Sequence, residues 1–353
     1  MSNQQQQGSK AAAIPIDDVL EQYWPNGEWF VTEGKSGWNN TTRYVEAAGR
    51  RWVLRIYETH RDTAKVAYEH AVLRQLSKMA LPFDVPCPIT ARNGSTYVVT
   101  RDGTERLACV FPYLEGDRPP EKDVQVAAAI GIAAAQLSIA LAQIHINIEP
   151  QYPPYYELDQ AHPLCTPDKV AAFCTEPPEA FAREAGQLEV IGQALSDIRR
   201  FLPKLRVLPH QLVHGDINHT NLLGGKNITA VLDFEFCTRD LRVMELAVIA
   251  AGLLSESEQQ SDSEDLPLIE AMLGGFGEKL RLSREEVEAI PVLVRLRKLD
   301  VFLHFLGRYW DGVDDASVLH AQIRSAASGL QRYLTIEKSI ERMCYNYLTI
   351  LIK

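Results

Sequence analysis

The chain has 353 residues, 46% of them hydrophobic and 23% charged, with a formal net charge of -10. This is ordinary globular composition at a length for two domains or one large bilobal one, and it excludes a mostly disordered, collagen-like or small disulfide-stapled chain. The acidic balance argues against sequence-independent binding to nucleic acid, which needs a cationic face, but leaves room for a nucleotide held in one local pocket.

In chain order, the polar stretch 1–13 (MSNQQQQGSKAAA) reads as a disordered tail without the apolar run of a signal peptide. Apolar residues at 16, 19, 20 and 23 predict a helix that Pro25 stops. Phe30-Val31, Tyr44-Val45 and Arg51–Tyr57 read as strands, His60–Ala80 as a helix, and Ser95–Thr100 and Arg106–Phe111 as two more strands. These segments make an N-terminal lobe over 14–111. The Gly- and Pro-rich stretch 112–123 (PYLEGDRPPEKD) marks a linker, and 124–353 reads as a mainly helical C-terminal lobe.

Within that second lobe, Val124–Ile148 is Ala-rich and apolar. Gln125, Gln136, Ser138, Gln143, His145 and Asn147 interrupt it, so it reads as a core helix and no membrane segment is expected. Residues 150–178 are Pro-rich and read as an insertion, and Ala180–Leu202 as a helix. Leu212-Val213 and Ala230–Phe234 read as short strands flanking a Gly/Asn-rich loop, and Met244–Leu254 as a helix. The acidic stretch 255–265 reads as a solvated loop, and helices are predicted over 268–280, 283–290, 292–310 and 319–352. Ser283 followed by Glu286 forms a capping-box pattern for the second of these. Six cysteines at 87, 109, 165, 174, 237 and 344 form no C-x-x-C pair and no zinc spacing. They read as reduced thiols of a cytoplasmic protein. A homodimer is compatible with all of this.

The chemistry concentrates in VHGDINHTNLLGGKNITAVLDFE, residues 213–235. His214-Gly215-Asp216 is followed five residues on by Asn221, and twelve residues later Asp233 precedes Phe234. An H-x-D-x-x-x-x-N loop followed by D-F-x is the catalytic-loop and metal-loop pair of protein-kinase-like enzymes. Phosphoryl transfer needs positioning and charge neutralisation more than covalent help. Asp216 is the expected acceptor of the attacking hydroxyl's proton. Asn221 and Asp233 are the expected oxygen ligands of Mg2+ on the phosphates, and His214 is expected to buttress the loop. Asn218, His219 and Glu235, adjacent to these positions, are candidate substrate contacts. Asp240, Arg239, Arg242 and Tyr309-Trp310-Asp311 are looser ones. An amine-bearing acceptor would be drawn to carboxylates, an amino-acid acceptor also needs a cation, and a quaternary ammonium needs an aromatic cage.

HGDINHTNLL and AVLDFE resemble the catalytic and metal loops of the aminoglycoside phosphotransferase superfamily, the small-molecule branch of the kinase-like fold, and the resemblance runs from about residue 14 on. FEFCTRDLRVMELAV and SREEVEAIPVLVRLRKLDVFL are most similar to type II homoserine kinases. The resemblance implies an α+β, bilobal protein-kinase-like fold: an N-terminal antiparallel sheet plus helix, and a mainly helical C-terminal lobe. It implies ATP as co-substrate with Mg2+, and nucleotide contacts from Ser36, Gly37 and Asn40 in a loop that a plain hairpin turn explains equally. Arg55 stands where protein kinases have Lys, with Glu69 as its expected partner. Phe111 takes the gatekeeper-like position, and the Pro112 carbonyl and Leu114 N–H are placed to meet the base edge. The implied reaction phosphorylates a hydroxyl of a small metabolite, homoserine or another amino acid or amino alcohol first. An aminoglycoside- or choline-type acceptor is the alternative. Arg55 and the sparse glycines also keep a catalytically weak nucleotide-binding scaffold open.

Overall fold

A computed structural model of the chain describes residues 16–34, 40–58, 62–254 and 262–350. The tail 1–13, Ser36, Gly37, Trp38 and His60 lie outside the described residues. The chain divides into two compact units, one of residues up to Arg74 with Pro86–Leu114, the other of Gln75–Val85 with Glu115–Lys353.

The first unit contains α1 (Ile16–Glu21), β1 (Trp29–Glu33), β2 (Asn40–Ala47), β3 (Arg50–Tyr57), most of α2 (Thr63–Leu76), β4 (Val98–Val99) and β5 (Leu107–Pro112). The strands form one antiparallel sheet in the order β1-β2-β3-β5-β4. Ala48 and Gly49 join β2 to β3 with φ of 50° and 71°, as a two-residue hairpin turn that matches strand twist demands. Strand periodicity then sorts the faces. Leu54 and Ile56 on β3 and Ala108 and Val110 on β5 join Val45, Val19, Leu20 and Tyr23 in a core that seats α1. Each fully buried Val, Leu or Ile among them contributes about 1.5–3 kcal/mol of burial. Arg55 and Tyr57 point to the other face, where both bond Glu69 of α2. The strand expected over 95–100 shrinks to Val98–Val99: Ala91 N–H bonds Ser95 O and Thr100 N–H bonds Arg106 O, so its flanks are turns. The helix expected over 60–80 is described from Thr63 and ends at Leu76.

The second unit is mainly helical: α3 (Val124–Leu141), α4 (Pro167–Thr175), α5 (Ala185–Arg199), α6 (Leu202–Leu205), α7 (Met244–Leu253), α8 (Asp262–Lys279), α9 (Arg284–Trp310) and α10 (Ala316–Leu348). Asp123 caps α3 by accepting from the Gln125 and Val126 N–H groups. Among the described residues α3 is the one helix long and apolar enough to cross a membrane, but 67% of it is buried in the protein and it packs chiefly on α8. The approach is close: a Cβ on Gly131 would collide with the Met272 carbonyl, and one on Gly275 with the Ala128 carbonyl. Residues 142–148, expected to extend this helix, leave it at Ala142.

Two expectations are corrected in the last third, and one is refined before it. The helices predicted over 283–290 and 292–310 are one helix, α9, which runs through Pro291; the capping box of Ser283 and Glu286 starts it. Pro291 is buried in apolar packing, and that burial outweighs the lost backbone hydrogen bond. The 255–265 stretch is not all solvated loop, because α8 begins at Asp262 and the fully buried Asp265 pairs with Arg332 at 2.9 Å. The 150–178 insertion contains α4.

Four short strands carry the informative loops. β6 (His210–Val213) pairs with β9 (Thr238–Leu241), and β7 (Leu222–Gly224) pairs with β8 (Ile228–Val231), each antiparallel. This nesting puts the β6–β7 loop, 214–221, beside the β8–β9 loop, 232–237. The strand expected over Ala230–Phe234 ends at Val231, so Asp233 lies past the strand.

Candidate active site

In the second unit, hydrogen bonds tie the two loops together. His214 is fully buried and sits against Phe234 with ring centroids 4.5 Å apart. Its Nε2 donates to the Leu232 carbonyl at 2.9 Å, and its Nδ1 accepts the Asp216 N–H at 3.2 Å. One proton on Nε2 satisfies both bonds, so the imidazole is neutral. Burial pushes its pKa down to about 4, consistent with that state. Leu232 N–H in turn donates to the Asn221 carbonyl at 2.8 Å. His214 therefore fixes the position of Asp233 relative to the loop that carries Asp216 and Asn221.

Gly215 and Asp233 are the two backbone positions that make the geometry. Gly215 has φ of 80°, and a Cβ there would lie 3.2 Å from both the Phe236 carbonyl and the Tyr155 ring. Asp233 has φ of 64°, a left-handed conformation that costs a non-glycine residue about 1–2 kcal/mol and that Asp and Asn tolerate best. It turns the carboxylate out of the strand path.

Asp216 is held from several sides. Asn221 Nδ2 donates to its Oδ2 and to its carbonyl, both at 2.9 Å, and Asn218 Nδ2 reaches the same two atoms at 3.3 and 3.1 Å. Asp216 Oδ1 receives Arg297 Nη2 at 3.0 Å. Burial raises the Asp216 carboxyl above the ordinary aspartate range, Arg297 opposes that, and the neighbouring Asp233 charge adds to it.

Because Asn221 Nδ2 is committed to Asp216 and its main-chain carbonyl to Leu232, its side-chain Oδ1 is the atom left to face a ligand. An amide oxygen and a carboxylate are hard donors, which suit a small divalent cation that keeps phosphate and water oxygens as its other ligands. Among the described residues no group of three or more His, Cys, Asp or Glu is placed to hold a metal ion.

The remaining expected positions fall as follows. Asn218 caps the short turn 219–221 by accepting the Thr220 N–H, so it serves the loop as well as Asp216. His219 is part-exposed and 3.9 Å from Glu121. Glu235 is part-buried two residues past Asp233. Asp240 is buried and accepts the Tyr155 N–H at 2.6 Å, and Arg242 forks onto Glu286 at 2.8 and 2.6 Å, so both are structural. The aromatic pair 309–310 is already used: Tyr309 packs edge-on to Phe181, and Lys169 Nζ sits 3.8 Å over the Trp310 ring.

In the first unit, Arg55 Nη1 lies 3.1 Å from Glu69 Oε1, and its guanidinium lies 5.2 Å from the Phe111 ring. Glu58, the other acid near that strand end, pairs with Arg106 at 3.1 Å. Asn40 opens β2 opposite Tyr57, Pro112 closes β5 opposite Trp52, and Leu114 is the last residue of the unit.

Sequence reasoning missed Arg297, Asp300, Tyr155 and Glu245. Tyr155 Oη donates to the Gly215 carbonyl at 2.8 Å and its ring faces the Arg297 guanidinium at 4.9 Å. Glu245, in the first turn of α7, accepts the His214 and Gly215 N–H groups at 2.7 and 3.3 Å. Its position inside FEFCTRDLRVMELAV was the available signal; Arg297 and Asp300 are 81 and 84 residues from Asp216, and their position inside SREEVEAIPVLVRLRKLDVFL was the signal for them.

Burial, relieved by those two N–H groups and reinforced by Asp216 and Asp240, pushes Glu245 up to about 7. An acid whose folded pKa is raised binds a proton that the unfolded chain has already lost, so this carboxylate contributes falling stability between about pH 4.5 and 7. Glu245→Gln removes that term. Its melting temperature is expected to rise relative to wild type between pH 5 and pH 8; a constant difference across that range, read by calorimetry, would contradict the assignment.

Comparison with known proteins places these loops in context. Residues 31–278 match the model of the phosphotransferase enzyme family. A homoserine kinase of Zymomonas mobilis subsp. mobilis (strain ATCC 31821 / ZM4 / CP4) is 24% identical over 334 residues, covering 93% of this chain and 96% of that relative. Among solved structures, a microcompartment-associated aminopropanol kinase aligns with a TM-score of 0.66 at 18% identity over 91% of this chain and 97% of its own. An amicoumacin kinase in complex with AMP-PNP, Ca2+ and Ami aligns with a TM-score of 0.64 at 18% identity over 87% and 89%. The fold is that of small-molecule kinases: an antiparallel sheet with helix, followed by a mostly helical region.

Proposed function

The chain belongs to the phosphotransferase enzyme family, and from that premise we propose that it transfers the γ-phosphate of ATP to the hydroxyl of a small amino acid or amino alcohol such as homoserine. The reaction is R–OH + ATP → R–O–phosphate + ADP + H+. The observation that carries this reading is the clasp of His214, Leu232 and Asn221, which places Asp216, Asn221 and Asp233 on two adjoining loops.

In this reading Asp216 accepts the acceptor's hydroxyl proton as the new P–O bond forms, and its raised pKa suits that task at neutral pH. Asn221 and Asp233 would hold Mg2+, which supplies neutralisation of phosphate charge when bound. Asn218 orients the base. In the first unit, Arg55 steadied by Glu69 is the phosphate contact, with Ser36, Gly37 and Asn40 of the β1–β2 connection as further nucleotide contacts, while Pro112 and Leu114 supply main-chain groups to the adenine and Phe111 lines it. Asn218, His219 and Glu235 are the nearest substrate contacts in sequence. A cytoplasmic location fits such an enzyme. A choline-type acceptor is disfavoured, because Lys169 already occupies the Trp310 face where a quaternary ammonium would sit.

The test is an ADP-release screen with Mg2+ over hydroxylated amino acids, amino alcohols, aminoglycosides and sugars. Turnover with an amino acid or amino alcohol supports the reading. Turnover with aminoglycosides alone redirects the acceptor, and nucleotide binding with no turnover on any acceptor favours a scaffold.

A further inference from the structure

We propose that Arg297 is the acceptor-reading residue: it captures a carboxylate of the incoming substrate, releases Asp216 as it does so, and thereby selects hydroxylated amino acids over amino alcohols that lack an acid group. The proposal deepens the function proposed above and rests on it.

Three observations carry it. The first is that both oxygens of Asp216 are already engaged. Oδ2 receives Asn218 and Asn221 from the same loop, and Oδ1 receives Arg297 at 3.0 Å. A hydroxyl that is to give Asp216 its proton needs one of these places. The two asparagine bonds are local and shape the loop. The Arg297 contact comes from α9 and uses a single nitrogen of the guanidinium fork, so it is the bond that can be exchanged.

The second observation is the seat of Arg297. Its side chain is 16% exposed, enough to be reached and too little to be rehydrated cheaply if it simply lets go. Nη1 is bound to Asp300 Oδ2 at 2.9 Å and the guanidinium plane lies over Tyr155, so the residue can pivot without losing its whole environment. A substrate carboxylate offers two oxygens to the fork and offsets the loss of Asp216. A neutral or purely cationic acceptor offers nothing in exchange and must compete with Arg297 for the base.

The third observation is the character of the α9 face on which Arg297 stands. Asp300, His304 and Arg308 follow at intervals of three or four residues, and all are part-buried. His304 stands between Arg297, paired with Asp300 at 2.9 Å, and Arg308, paired with Asp314 at 2.6 Å. Asp300 supplies one carboxylate. A face with a cationic anchor and one adjacent acid complements a zwitterion: the α-carboxylate on Arg297 and the α-ammonium on Asp300. Arg242 is forked onto Glu286, and Arg239 is exposed on β9, so neither replaces Arg297 against Asp216.

The experiment uses matched acceptors that differ only by the carboxylate: L-homoserine with 3-aminopropan-1-ol, L-serine with ethanolamine, and L-threonine with 1-aminopropan-2-ol. Wild type is expected to prefer the amino acid of its productive pair by at least about a hundredfold in kcat/KM, because a site with buried groups waiting for a polar partner rejects the analogue that lacks it. Arg297→Met is expected to lower kcat/KM for the amino acid mainly through KM and to shrink the preference at least about tenfold, with Arg297→Lys recovering part of it. A thermal melt of each variant reports folding, and the wild-type preference stands as evidence whether or not a variant folds. Wild-type turnover of amino alcohols as fast as amino acids, or an undiminished preference in a folded Arg297→Met, overturns this inference and leaves the kinase reading standing. No turnover with either member of any pair overturns both.

Discussion

Replacing Asp216 with Asn is expected to cut turnover at least about a hundredfold while nucleotide affinity stays within a factor of about three of wild type. The amide has the shape of the carboxylate, so it can still accept one bond from Asn221 or Arg297 and hold the loop. It cannot take a proton from the attacking hydroxyl. The loss therefore falls on kcat, and single-turnover kinetics with saturating acceptor is the direct reading. Calorimetric titration of the nucleotide supplies the other half. A variant within tenfold of wild type in rate would mean that Asp216 only positions the acceptor. A variant that no longer binds nucleotide would mean that the loop itself has moved.

Asp233→Asn is the second large effect, and it should separate from the first by what it does to the metal. Asn tolerates the left-handed conformation found at 233, so the backbone has no reason to rearrange. The substitution removes a full negative charge from the pair of hard donors. Loss of several kcal/mol of charge stabilisation corresponds to about a thousandfold in rate at 1.36 kcal/mol per factor of ten. Nucleotide affinity measured with and without Mg2+ should differ strongly in wild type and hardly at all in Asp233→Asn. A Mg2+ effect that survives the substitution would remove Asp233 from the metal site. In Asp216→Asn the Mg2+ effect should persist, so the two variants distinguish proton acceptance from charge neutralisation.

The contrast between these residues and Arg297 explains what could be read in advance. His214, Asp216, Asn221 and Asp233 fall within one nested pair of hairpins, so their spacing along the chain reports their spacing in space. The Arg55–Glu69 pair was legible for a similar reason, because a strand and the next helix bring it together. Arg297, with Asp300 bonded behind it, reaches the same loop from a helix that the sequence, with Pro291 in it, reads as two pieces. Proline propensity was the wrong guide there because apolar burial around Pro291 overrides it. Asp265 escaped for a related reason: a run of acids looks solvated, and only the fold reveals that one of them meets Arg332 inside. The alternation of β3 correctly assigned which side chains face the core, whereas the lengths of β4 and β8 depended on turn hydrogen bonds that no periodicity encodes.

The glycine-to-carbonyl seam between α3 and α8 bears on how the polypeptide is made. Gly131 and Gly275 are 144 positions apart, and each leaves room for the other helix's backbone. At translation rates of about 5–20 residues per second, α3 emerges roughly seven to thirty seconds before the segment it docks on. During that interval its alanines, isoleucines and leucines lack their chief native counterpart, α8. The nascent chain thus carries a greasy rod without its chief partner through more than a third of its synthesis. Holdase capture on the ribosome should concentrate on lengths between the appearance of residue 141 and that of residue 275, and truncations ending in that window should aggregate where the full-length product stays dispersed.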